Sequence, residues 1–146
     1  MKGIEMKKTL KNLLITILIL TMAISLFACN KNPSGDPSGA SLWDSAIYSE
    51  SATVGDGKLT FTLIVECESK SITLTVKTDK EALGDALYEL ELVNDPAFFD
   101  VANGIKADWD KDKAYWSFYI GNDFAMHGID AEKLTDGAVY KFVYTK

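Results

Sequence analysis

Between Leu59 and Cys67 an apolar residue stands at every second position. Leu59, Phe61, Leu63, Val65 and Cys67 fall on one side, and Thr60, Thr62, Glu66 and Glu68 on the other. Successive side chains of an extended chain point to opposite faces, so this period of two specifies a strand with one buried face. It is incompatible with an amphipathic helix, whose apolar positions recur roughly every three to four residues. Ser69-Lys70 interrupts the pattern as a turn. Ile72, Leu74 and Val76 then alternate with Ser71, Thr73, Thr75 and Lys77, which completes a hairpin. A hairpin with one apolar face needs a further element to cover it. The next residues supply one. Thr78-Asp79-Lys80-Glu81 has the spacing of a capping box, and Leu83, Ala86, Leu87 and Leu90 share one helical face. Asn94-Asp95-Pro96 ends that helix.

The second half returns to strand chemistry. Phe98 to Val101 is a short apolar strand, Asn103-Gly104 a tight turn, Ile105 to Trp109 a short strand, and Asp110 to Asp112 a polar turn. Ala114, Trp116, Phe118 and Ile120 alternate with Tyr115, Ser117 and Tyr119. Gly121-Asn122 and Asp136-Gly137 turn the chain on either side of a brief Phe124–Met126 strand, and Val139 to Tyr144 closes the domain. Trp43 to Tyr48 adds a weakly patterned strand at the start. A hairpin, one crossing helix and a second set of strands predict an α+β fold, a mixed sheet with the helix packed on one face. The β-grasp arrangement is the simplest solution of that order.

The beginning of the chain is different in kind. Lys2, Lys7, Lys8 and Lys11 precede an apolar run from Leu13 to Ala28. These sixteen residues would rise about 24 Å as a helix, short of a hydrocarbon core of about 30 Å. The run therefore reads as the core of an export signal, residues 1–28. Leu26-Phe27-Ala28-Cys29 resembles the lipobox of bacterial lipoproteins. That resemblance implies cleavage before Cys29 and a lipid on its thiol, with two acyl chains holding the protein to the outer face of the bacterial cell membrane. Residues 29–41 contain Pro-Ser-Gly twice and form a flexible tether. Residues 42–146 are one domain. Loss of residues 1–28 removes four Lys and Glu5, leaving 11 basic against 20 acidic side chains and a net charge of −9. With no Arg in the chain, nucleic acid is excluded as a partner. An anionic membrane surface would repel such a domain, so the lipid alone would hold it there.

Several segments of the domain carry a family resemblance. They are Asn103-Gly104-Ile105, Ala107-Asp108, Tyr115 to Ile120, Gly128-Ile129-Asp130, Asp136-Gly137-Ala138-Val139-Tyr140 and Phe142-Val143-Tyr144-Thr145, with Trp43-Asp44 and Thr78-Asp79-Lys80 upstream. Together they resemble a bacterial lipoprotein domain of unassigned function, grouped with the C-terminal domain of transcobalamin and intrinsic factor. The resemblance implies a β-grasp-like fold and a corrinoid or similar small-molecule ligand, and no catalysis. Gly121-Asn122-Asp123 stands where the family has Asn-Gly-Glu, and Asp95-Pro96-Ala97-Phe98-Phe99 where it often has a Gly. The helical barrel that completes the ligand site of the animal carriers is absent from this chain.

The residues themselves offer few reactive groups. Asp108, Asp110 and Asp112 have the spacing that opens a calcium loop, but Lys113 and Tyr119 stand where that loop needs Gly and Glu, so a solvated turn is expected and no metal site. Cys67 falls on the apolar face and reads as a buried, inert thiol. His127 is the sole imidazole, a candidate ligand contact or a plain surface residue. The aromatic residues are the positive signal. Trp116 and Phe118 point to the core, whereas Tyr115 and Tyr119 point to the other face, with Trp109 and Tyr140 adding to the set. Open aromatic rings stack on flat ligands or anchor interfaces. The ligand-binding candidates are Trp109, Tyr115, Tyr119, Asn122 and His127, with Cys29 as the lipid attachment residue. The expected function is a lipid-anchored, non-catalytic module that requires no cofactor. It would bind a small molecule, a corrinoid-like compound delivered to a membrane transporter. The alternative is a protein-interaction or structural module on the cell surface.

Overall fold

The alternation of Leu59–Cys67 is realised as a central strand. The structure, a computed structural model, describes residues 40–146. Residues 1–39, and with them the export signal, Cys29 and most of the tether, lie outside the described residues. The strands are β1 (Ala52–Val54), β2 (Leu59–Cys67), β3 (Lys70–Thr78), β4 (Val101–Ala102), β5 (Ile105–Lys106), β6 (Tyr115–Ile120), β7 (Asp123–Phe124) and β8 (Val139–Thr145). The helices are α1 (Leu83–Glu89) and the single turn α2 (Trp109–Asp112), preceded by a 3-10 turn at Leu42–Ser45. Among the described residues no helix is long and apolar enough to cross a membrane.

Six strands form one mixed sheet in the order β1-β3-β2-β8-β6-β7, and β4 and β5 form a small second sheet. β2 pairs antiparallel with β3 and parallel with β8, and β8 pairs antiparallel with β6. Two hairpin-like pairs whose first and last strands lie parallel at the centre are the β-grasp order, as expected from the sequence. The register aligns one apolar face across four strands: Leu63 stands beside Leu74 and Tyr140, and Phe142 beside Val65 and Phe118. Leu83, Ala86 and Leu87 of α1 join that same core, all of them fully buried. T-shaped ring pairs (Phe61–Tyr140 at 5.5 Å, Phe118–Phe142 at 5.8 Å) fill its centre.

Several local expectations are corrected. The capping box does not cap. Thr78 ends β3, its Oγ1 accepts from the Lys80 N–H, and α1 begins only at Leu83, where Ala82 offers no side-chain cap. The first amides of α1 are met from a distance instead. Leu83 N–H donates to the Glu132 carbonyl and Gly84 N–H to the Ile129 carbonyl, both at 2.9 Å. The β2–β3 turn is Glu68-Ser69, one residue earlier than expected, with Glu68 in the left-handed region at φ +55°. Trp43–Tyr48 is no strand. Its start is the 3-10 turn, Trp43 donates from Nε1 to the Cys67 carbonyl, and the N-terminal strand is Ala52–Val54, parallel to β3. The polar turn at Asp110–Asp112 is the helical turn α2.

Phe98 is not in a strand either. Asp95 Oδ1 accepts from the backbone N–H groups of Ala97 and Phe98 at 2.8 Å each, and this turn presents Phe98 to solvent, 93% exposed.

Candidate ligand-binding site

β6 carries the site because it lies near the open end of the sheet. On its inner side it is paired along its length with β8. On its outer side β7 pairs only with Tyr119 and Ile120, and Ala125 N–H donates to the Phe118 carbonyl. Tyr115 to Ser117 have no strand partner on that side among the described residues. Trp116 and Phe118 turn into the core with α1, so Tyr115 and Tyr119 face away from the helix, as their alternation requires.

Two adjoining clefts open along this edge. The first, ≈ 380 Å³, lies between β6 and the segment Asp100–Asp110. The second, ≈ 270 Å³, lies between β6 and the loops Ala97–Phe99 and Phe124–Ile129. Phe99, Tyr115 and Trp116 line both. Trp109 meets Tyr115 edge to face at 6.2 Å in the first cleft, and Phe124 and His127 border the second. Tyr119 packs edge to face on Phe124 at 5.5 Å under the Lys141 ammonium, outside both linings. Asn122 sits exposed in the β6–β7 turn and lines neither cleft. Of the five candidates, the fold thus gathers Trp109, Tyr115 and His127, and sets Tyr119 and Asn122 to one side. Tyr140 is not part of an open aromatic face. It is fully buried in the core.

Phe98, Phe99, Phe124 and Met126 are not among the ligand-binding candidates that the sequence offers. Phe98 and Met126 are 93% and 91% exposed and Phe124 is 56% exposed, all beside the clefts or bordering them. For Phe98 and Phe99 the available signal was an aromatic pair one residue after Asp95-Pro96, a turn that places apolar side chains outside the core.

His127 and the buried Tyr140 are joined through one carboxylate. Glu132 Oε2 accepts from His127 Nε2 at 2.7 Å, since a carboxylate oxygen only accepts, and Glu132 Oε1 accepts from the Tyr140 hydroxyl at 3.2 Å. Burial, then the Glu132 charge, pushes the Tyr140 hydroxyl up to about 12. Burial likewise pushes the Cys67 thiol up to about 11, which leaves it protonated and unreactive, as expected. Both groups are neutral when protonated and have raised folded-state values. Their contribution to stability is therefore fully present below the unfolded values of 9.0 and 10.0, and is lost as pH rises through 11 and 12. Urea unfolding across pH 8–12 is expected to show stability falling from about pH 9, and Tyr140→Phe is expected to flatten the part between pH 10 and 12. An unchanged pH profile in that variant would contradict the assignment.

Asp108 has a structural task. Its carboxylate accepts from the Lys111 N–H at 3.0 Å and caps α2, and this hydrogen bond holds the carboxyl below its usual range. Among the described residues no group of three or more His, Cys, Asp or Glu side chains converges as a metal site would require.

The sequence matches no protein-family model and no curated protein. Solved structures do match. One is a "putative metal binding protein" from Ruminococcus gnavus ATCC 29149, with TM-score 0.55 and 18% identity over 61% of this chain and 98% of that one. This likeness establishes the fold. Another is haptocorrin in complex with Cbi, with TM-score 0.42 and 14% identity over 60% of this chain; the match spans 25% of the haptocorrin chain.

Proposed function

We propose that this chain is a non-catalytic, lipid-anchored module on the outer face of the cell membrane, which binds a flat small molecule along β6 and passes it to a membrane transporter. The observation that carries the reading is the pair of adjoining clefts that share Phe99, Tyr115 and Trp116 beside a strand edge that, over Tyr115–Ser117, has no strand partner among the described residues. Rings at a half-open edge offer large contact area at little entropic cost, and a flat, partly apolar ligand uses that best. The lipobox resemblance at Cys29 supports the anchor, and the family resemblance of residues 42–146 supports a corrinoid-like compound as the ligand. The reading as a binding module rather than an enzyme draws on the inert state of Cys67 and on the engagement of Asp108 in a helix cap.

The test uses the full chain in a maltoside detergent, mixed with a cobalamin and run on size exclusion with the visible absorbance of the ligand followed. Comigration is the expected result, and Tyr115→Ala is expected to weaken it about tenfold, the loss of roughly 1.4 kcal/mol of ring contact. Separate peaks at protein concentrations well above micromolar would sink corrinoid binding by this chain. A second reading has its own observation. Among the described residues the outer backbone edge at Tyr115–Ser117 has no strand partner, and beside the exposed Phe98 and Met126 it suits strand addition by an extended segment of a protein partner.

A further inference from the structure

The first cleft combines two chemistries. Its walls are the rings of Phe99, Trp109, Tyr115 and Trp116. Its rim carries the carboxylates of Asp100, Asp108 and Asp110 against a single lysine, Lys106, whose Nζ lies 3.7 Å from Asp100 Oδ2. The lining side chains therefore sum to −2, and the Lys113 ammonium over the Trp109 ring brings the immediate surroundings to −1; the lysine of the lining is already paired to one of its three carboxylates. An anionic ligand would meet repulsion there. A bare metal ion would find no converging set of donors among the described residues. The indole of Trp109 is 59% exposed and already serves as a platform for a cation, since the Lys113 ammonium stands 5.4 Å from its centroid. Ring faces carry negative potential, and a soft, poorly hydrated ammonium gains from ring faces and from nearby carboxylates together.

From this juxtaposition of aromatic walls and an acidic rim we infer that the cleft selects a small molecule carrying an organic cation, a quaternary or trialkylated ammonium. The methyl groups of such a cation pack against Trp109 and Tyr115, and its charge is balanced by Asp108 and Asp110. The inference deepens the reading of this edge as a small-molecule site and rests on it.

The probes are choline and its neutral isostere 3,3-dimethylbutan-1-ol, titrated into the full chain in maltoside detergent and followed by tryptophan fluorescence and calorimetry. Choline is expected to bind at least tenfold more tightly than the alcohol, and more weakly as potassium chloride is added, because the rim charges are exposed. Trp109→Leu keeps apolar bulk but removes the ring, and is expected to weaken choline about tenfold while leaving the alcohol within twofold. Asp110→Asn is expected to weaken choline several-fold, again without effect on the alcohol. Equal affinity for the two probes, or choline binding that is indifferent to Trp109→Leu, would overturn the inference. If both probes fail and a cobalamin comigrates, the cation preference falls and the small-molecule reading stands. If all three fail, both fall.

Discussion

Replacing Asn103 by Ala is expected to destabilise the domain by about 3 kcal/mol, roughly 15 °C in midpoint for a chain of this size. Asn103 is 1% exposed and lies in the left-handed region at φ +49°. Its backbone N–H donates to the Leu92 carbonyl at 2.7 Å, and its carbonyl accepts from Ile47 N–H at 3.0 Å. Its side chain does for Tyr48 what a neighbouring strand would do. Oδ1 accepts from Tyr48 N–H at 3.0 Å, and Nδ2 donates to the Tyr48 carbonyl at 2.8 Å. One residue thus ties the N-terminal segment and the end of the α1 region to the β4–β5 turn. Alanine keeps the backbone bonds, leaves both Tyr48 groups without their partner, and tolerates the left-handed conformation less well than Asn does. Asn103→Gly separates the terms: the turn is relieved, the side-chain pair is still lost, and about half of the destabilisation should remain. Urea unfolding of the two variants checks this. An Asn103→Ala protein within about 1 kcal/mol of the parent would show that the clamp contributes little.

The second large effect reverses an ordinary rule. Gly84 is the second residue of α1, and within a helix Gly→Ala usually stabilises by roughly 0.5–1 kcal/mol. Here the same change is expected to destabilise by about 2–3 kcal/mol. A Cβ at position 84 would run into the backbone carbonyl of Pro96, with the amide nitrogen of Asp130 also close at 3.3 Å. Neither neighbour yields cheaply. The segment around Pro96 is fixed by the Asp95 turn, and the segment around Asp130 is fixed because the Ile129 carbonyl accepts from the Gly84 amide itself. Relief would require α1 to move off the loop that caps it. A Gly84→Ala protein of equal or higher stability in thermal unfolding would mean that the loop gives way.

The start of α1 departs from the sequence expectation for a reason visible in the same region. Thr78-Asp79-Lys80-Glu81 has the local chemistry of a cap, and local chemistry is all that spacing can report. Thr78 is instead held in the β2–β3 ladder opposite Leu59, so extended backbone persists to its end and the helix begins four residues later than the box implies. The amides that then need partners find carbonyls of Ile129 and Glu132, which are more than forty residues away in the chain. The site shows the same division. That Tyr115 and Tyr119 face away from Trp116 and Phe118 was legible, because alternation within one strand fixes it. That Trp109 and Phe99 stand beside Tyr115, that Asn122 stands apart, and that Tyr140 is buried depended on where other segments came to lie.

What the sequence determined by itself was periodicity and its consequences: the two long strands of the first hairpin, the face each buries, the presence of one covering helix, the closing strand, and so the α+β class. These follow from short-range geometry, in which a residue's face is set by its neighbours along the chain. What only the tertiary structure decided was how far β7 runs beside β6, which loop carbonyls cap α1, and which rings and carboxylates share a cleft. Those outcomes depend on unpaired backbone groups and exposed rings meeting partners far away in the sequence, and such meetings leave no period to read.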